Sequence, residues 1–313
     1  MNSPSIAAPE PSSDPNGDPP AKAAPAATRP LYWSVRRELW ENRSVYIAPL
    51  AVAAFALLAS VIGALCMPAR MRVMPGLDPA ARHAALVRPY GMAQAAIVFA
   101  AALVGIFYSL DALHGERRDR SVLFWKSLPV SDLTAVLAKA SIPLVVLPLL
   151  AVAIGAATQL GMMLLALLGS GAGAPALWAE LPVFQMPLLL LYGIVTLALW
   201  HAPLYGWLLL VSAWARRTPV LWAVLPPLAV CVVEKLALNT TYFAALLGRR
   251  LIGSHRLAFD VGPLSDSRYV IVDRLAQATP ARFLAAPGLW LGLAVAAACL
   301  AAAARLRRLR EPI

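Results

Sequence analysis

The chain is poor in charge, poor in cysteine, and without the short motifs that mark a catalytic or nucleotide-binding site. Charged residues make up 14% of its 313 positions and hydrophobic ones 60%, with a mean hydropathy of +0.69. That balance excludes an ordinary soluble domain. Cys66, Cys231 and Cys299 stand far apart, each in or beside an apolar run. Without CxxC or Cys/His spacing they suggest packing residues, not a disulfide framework or a zinc site. No GxxxxGK[ST] loop occurs, so ATP that drives this protein must bind another chain. HExxH and GxSxG are missing too, and His83, His114, His201 and His255 are too scattered to argue for a shared metal. The expectation is a protein that is not an enzyme, with no metal or cofactor of its own.

What is present is a set of long apolar runs. A membrane-crossing helix needs about 20 mostly apolar residues, and six stretches qualify: 45–66, 91–110, 141–168, 186–214, 219–238 and 288–304. They predict an all-α integral membrane protein. The formal charge of +11 invites a nucleic-acid reading, but Lys and Arg lie beside the apolar runs and not along one soluble face. They read instead as topology signals. Fifteen fall on flanks that share a side with the N-terminus, against Arg70, Arg72, Arg82 and Arg88 in the first opposite loop. This places both termini in the cytoplasm.

Residues 1–30, rich in Pro, Ala, Ser and Asp, read as a disordered cytoplasmic tail with no signal-peptide pattern. In 31–44, LYWSVRRELWENRS, the residues Leu31, Tyr32, Trp33, Val35, Leu39 and Trp40 share one broad half of a helical wheel. Arg37, Glu38 and Glu41 lie opposite, while Arg36 and Arg43 intrude on the apolar half, so the segment is expected to lie in the lipid headgroup layer. The long connection 239–287 predicts a small external cap with a helix near 242–251 and a β-like run at 269–272. A basic tail, 305–313, closes the chain.

Four intramembrane features attract attention because polar groups there are costly. His201 lies in the fourth span beside Pro203, which is expected to kink it, and is a candidate for lining a translocation path. A neutral imidazole bonded to a neighbouring helix is the plainer alternative. Glu234 is expected to pair with an Arg of the external loop, and Pro226-Pro227 to interrupt the fifth span. Gly155, Ala156, Ala157 and Gly161 fit close helix packing.

The stretch from Asp111 to Lys139, DALHGERRDRSVLFWKSLPVSDLTAVLAK, organises the rest. Glu116, Arg117, Arg118, Asp119 and Arg120 precede the apolar Val122, Leu123, Phe124 and Trp125. Lys126 follows, then Pro129, with Ser131 or Asp132 placed to cap a new helix. Such a segment is stable at a membrane face or in a groove of a partner protein. A solvated loop is the plain alternative.

This pattern resembles the permease subunit of type 2 ATP-binding-cassette (ABC) exporters, particularly bacterial permeases with a Glu-Arg-Arg-Asp-Arg-Ser segment. The matching residues are Asp111, Glu116 to Ser121, Phe124 to Ser131 and Lys139. The N-terminal amphipathic helix, the six-span plan and the basic tail agree with it from about Leu31 onward. The resemblance implies a cytoplasmic coupling helix between spans two and three that docks on a separate ABC ATPase subunit. Phe124 and Trp125 would be its apolar anchors, and Glu116, Arg117, Arg118, Asp119 and Lys126 the charged partners around them. It further implies a second permease subunit, as homodimer or heterodimer, ATP and Mg on the ATPase, contact with membrane lipid, and a bacterial inner (plasma) membrane location. The transported molecule would be hydrophobic or amphipathic and would move outward, although the tail at 1–30 and the large external loop depart from the plainest members. Two other classes stay open: an ATP-independent secondary transporter and a non-transporting membrane scaffold.

Overall fold

The structure, a computed structural model, describes residues 30–66, 76, 78–119, 131–170, 184–260 and 274–309. Among these the chain is all-helical, with one isolated bridge, Phe259 to Ala278, in place of any strand. Six helices are long and apolar enough to cross a membrane, as expected of a multi-pass membrane protein. The tail 1–29, the segment 120–130 and the β-like run 269–272 lie outside the described residues.

Helix α1 (Pro30–Glu41) leads into α2 (Ser44–Leu65), and α3 (Pro79–Arg118) follows. The Asp78 carboxylate accepts from the Ala81 N–H at 3.1 Å and starts α3. Helix α3 is 40 residues long, much longer than the apolar window 91–110 anticipates. It continues past Asp111 because the charged side chains on its last turns find partners on other helices. The third span is built from α4 (Asp132–Ser141), a π-turn (Ile142–Val146) and α5 (Leu147–Ser170). Ser131 caps α4, its Oγ accepting from Thr134 N at 3.1 Å. The Pro143 ring removes a backbone donor, and the Leu147 N–H reaches five residues back to the Ile142 carbonyl, which widens one turn.

Helix α6 (Gln185–Trp214) is the central post, packed against α11 (Pro287–Leu309), α3 and α5. It runs as one helix through Pro203. Gly206 allows a close approach: a Cβ there would stand 3.2 Å from the Ala296 backbone of α11. In a bilayer, where lipid tails are as apolar as Leu, small residues at such crossings gain packing contacts that larger ones would prevent. Ala303 and Ala304 of α11 with Ala213 of α6 continue this seam.

Helix α7 (Pro219–Leu238) is peripheral, with Ala223 its one fully buried residue. The interruption expected at Pro226-Pro227 is not found; the span is one helix, as membrane helices permit when nearby groups re-satisfy the freed carbonyls. The connection to α11 folds as α8 (Tyr242–Ile252), α9 (Ser254–Ala258), a 3-10 turn (Leu275–Gln277) and α10 (Pro280–Ala285). Among the described residues, Glu234 pairs with no Arg. Its carboxylate accepts from Thr240 Oγ1 at 2.8 Å and from the Tyr242 and Phe243 N–H groups at 2.6 and 2.8 Å, capping α8.

Candidate functional site: a buried ion cluster beneath a membrane groove

On helix α1, Leu31, Tyr32, Trp33 and Trp40 are exposed, while Glu38 is its fully buried residue. Arg36 stacks over the Trp33 and Trp40 rings at 5.4 and 4.8 Å. The aromatics and Glu41 thus face outward, while Glu38 faces the protein together with Val35 and Leu39, which pack on the core.

A buried carboxylate persists only with compensating charge, and Arg37 of α1, Lys139 of α4 and Arg307 of α11 supply it to Glu38 and Glu116 between them. Glu38 Oε1 receives Lys139 Nζ of α4 at 2.9 Å and Arg37 Nη2 at 2.7 Å. Its Oε2 accepts the Tyr108 hydroxyl of α3 at 2.7 Å. Glu116, near the end of α3, receives Lys139 Nζ, Arg37 Nη2 and Arg307 Nη2 of α11, each at 3.2 Å. Arg307 also meets Asp132 at 3.4 Å, and Arg308 meets it at 3.6 Å. Lys139 and Glu38 side chains are 3% and 2% exposed, so solvent screens this pair little. Burial alone would push the Glu38 carboxyl up. The Lys139 ammonium, with hydrogen bonds from Lys139, Tyr108 and Arg37, holds it below the usual carboxylate range.

The other face of the same α3 end grips α6. Ser212 Oγ accepts from the Leu113 and His114 N–H groups at 3.0 and 2.9 Å. Arg117 Nη1 donates to the Ala213 and Ala215 carbonyls at 2.9 and 3.2 Å, satisfying the end of a helix that is partially negative. His114 Nδ1 stands 3.2 Å from the same Ala215 oxygen.

Of the residues the sequence singled out for docking, Glu116 and Arg117 are therefore held within the protein. Arg118 and Asp119 pair with each other at 3.0 Å and are exposed. Phe124, Trp125 and Lys126 lie outside the described residues. Sequence reasoning missed Glu38, Tyr108, Asp132 and Arg307 as partners, although carboxylates at span ends opposite a basic tail were the available signal.

Above the cluster, the π-turn and α5 border a groove of about 360 Å³ between α3, α5 and α6. His201 lines it. Its Nδ1 stands 2.9 Å from the Leu197 carbonyl on its own helix, and its Nε2 stands 3.2 Å from the Leu251 carbonyl of α8. A neutral imidazole donates to one of them at a time. Trp200 Nε1 donates to the Arg249 carbonyl at 3.2 Å, and Arg250 donates to the Trp200 and Gly288 carbonyls at 3.3 and 2.7 Å, so α8 packs against the middle of α6 and the start of α11. No group of three or more His, Cys, Asp or Glu able to hold a metal occurs among the described residues. Comparison with protein-family models, with curated proteins and with solved structures finds no match.

Proposed function

We propose that this chain is the membrane-spanning permease subunit of an ATP-driven ABC transporter. In this reading it moves a hydrophobic or amphipathic molecule out across a bacterial inner membrane, with both termini cytoplasmic and with a second permease subunit beside it. The observation that carries the reading is the convergence of α1, α3, α4, α6 and α11 around the two ends, Asp119 and Ser131, of the aromatic segment 120–130.

The segment between those ends carries Phe124, Trp125 and Lys126, and the exposed Arg118 and Asp119 stand at its border. A partner ATPase that takes the aromatics as anchors and the charges as register pulls on both α3 and α4. Displacing Glu116 draws on α1 and α11 through Arg37, Lys139 and Arg307, while Arg117 draws on the end of α6. Lys139 lies four residues before Pro143, which is in the widened turn, and Leu147 follows that turn; both line the groove wall, a short route from docking to groove. ATP and Mg on the partner shift the permease only by as much as the docked segment binds its two states differently. His201, between α8 and the groove, is the candidate path residue of this reading.

The test is copurification. Replacing Phe124 and Trp125 by Ala should release the ATPase, since an aromatic hot spot contributes about 2 kcal/mol or more to docking. Full retention of the ATPase by the double variant contradicts the docking role.

A further inference from the structure

The end of the bundle that holds the ion cluster carries more cation than the cluster uses. Of the carboxylates described there, Glu38, Glu41, Glu116, Asp119 and Asp132 each pair with a cation of the protein, and Asp111 alone stands outside such a pair. Arg36, Arg43, Arg216, Arg217 and Arg305 meet no carboxylate among the described residues. Connectivity puts all five at this end. Arg36 and Arg43 flank Glu38 in sequence, and Arg216 and Arg217 follow Ala215, whose carbonyl takes Arg117 of α3. Arg305 precedes Arg307, which meets Glu116. Arg36 is half-buried and the other four are exposed.

The surplus arginines stand among tryptophans. Stacking over the Trp33 and Trp40 rings, at 5.4 and 4.8 Å, uses the flat faces of the Arg36 guanidinium and leaves the N–H groups on its edge. None of those N–H groups has a hydrogen-bond partner among the described residues. Such a fork of donors matches the two free oxygens of a phosphodiester. The turn between α6 and α7 repeats the combination: Arg216 and Arg217 fall between Trp214 and Trp222, whose rings pack edge to face at 4.7 Å.

The residues that follow these arginines choose between an acidic macromolecule and a lipid. Arg43 leads into α2, where Ile47 and Leu50 are exposed, and Arg217 leads into α7, where Val220, Leu221 and Trp222 are exposed. Unpaired cation and bare apolar surface are therefore contiguous at two places. A nucleic acid or an acidic peptide would meet the arginines and leave the apolar faces uncovered. An anionic amphiphile matches both, with phosphate on the arginines and acyl chains along α2 and α7.

We propose that this rim binds anionic phospholipid, with one headgroup phosphate seated on Arg36 between Trp33 and Trp40 and another on Arg216 and Arg217. Helix α1 is then held on both faces, by a headgroup outside and by the ion cluster inside, because Arg36 adjoins Arg37 and Glu38. Binding needs no ATPase and does not depend on the permease reading.

The experiment is photolabelling of the purified full-length chain in phosphatidylcholine nanodiscs, followed by peptide mapping. Two lipids with the same acyl chains and a diazirine in the headgroup are compared, one of phosphatidylglycerol type and one of phosphatidylcholine type. The anionic lipid should label residues 33–43 and 214–222 about fivefold more than the zwitterionic one, and the preference should shrink when salt rises from about 0.05 M to about 0.5 M. Arg36→Gln should abolish the preference at 33–43 and leave that at 214–222. Arg216→Gln combined with Arg217→Gln should do the reverse, so each variant checks that the other chain is folded. Arg36→Lys, which keeps the charge and loses the planar fork, should retain about half of the preference at 33–43. Equal labelling by both lipids, or an anionic preference that ignores both variants, overturns the proposal. Absence of labelling at 33–43 by either lipid, the result when a second copy of the chain covers α1, overturns it as well.

Discussion

The two ends of the helix bundle are held by different chemistry. At one end, α1, α3, α4 and α11 meet through Glu38, Glu116, Asp132, Arg37, Lys139 and Arg307, carboxylate against cation. At the other, Arg250 meets the Trp200 and Gly288 carbonyls and the Trp200 face, 4.3 Å away, while Trp200 and His201 meet carbonyls of α8. The first arrangement is mutually dependent, because removing one charge leaves its partner buried and uncompensated. The second is a set of separate bonds over an aromatic cluster that includes Phe259 and Phe283, so it yields one contact at a time. A lever suits the first and a closing flap the second.

The largest effect should come from breaking the charged end. Lys139→Met leaves Glu38 and Glu116 facing each other with less compensation and should cost about 3–5 kcal/mol in denaturant unfolding of the purified protein. Adding Glu38→Gln to it should recover part of that loss, whereas additive losses would show the two side chains to be uncoupled. At the opposite end, Arg250→Met removes two carbonyl contacts and a stacked cation. It should cost less, about 2 kcal/mol, and should open α8 to hydrogen exchange while α1 stays protected. Loss of protection at both ends would make the comparison false.

The smallest effect is in the pH profile. The Glu38 carboxyl lies below its ordinary value of 4.5 in the folded state, so the unfolded chain binds its proton more readily. Its contribution is complete above about 4.5 and is lost as pH falls through the lowered folded value. Thermal stability should therefore be flat across neutral pH with respect to this group and decline on the acid side, and Glu38→Gln should make that acid decline shallower. An unchanged acid limb in the variant would remove Glu38 from the account.

The apolar centres of the six spans were legible because 20 apolar residues in a row have few alternatives to a membrane helix. The start of α4 was legible to within one residue, as Ser131 or Asp132, and the structure gives the cap to Ser131. The ends of α3 were not. An apolar window stops at Arg88 and Asp111, but α3 extends from Pro79 to Arg118, and the charges Glu116 and Arg117 on its last turn are satisfied by α1, α4, α6 and α11, up to 191 positions away in sequence. Glu38 looked solvated for the same reason: a helical wheel reports which face is polar, not whether that face meets water or, as here, two cations and a tyrosine hydroxyl. Glu234 misled in the opposite direction, since a lone carboxylate near an Arg-rich loop suggests an ion pair while backbone donors of α8 were nearer in sequence.

Side-resolved labelling of Ser121→Cys and Ser127→Cys in intact cells and in inverted vesicles tests the account most directly. The account predicts that an impermeant thiol reagent reaches both positions in inverted vesicles, that it reaches neither in intact cells, and that bound ATPase shields them. Reaction from outside intact cells would contradict it, because a segment on that face cannot receive work from a cytoplasmic ATPase.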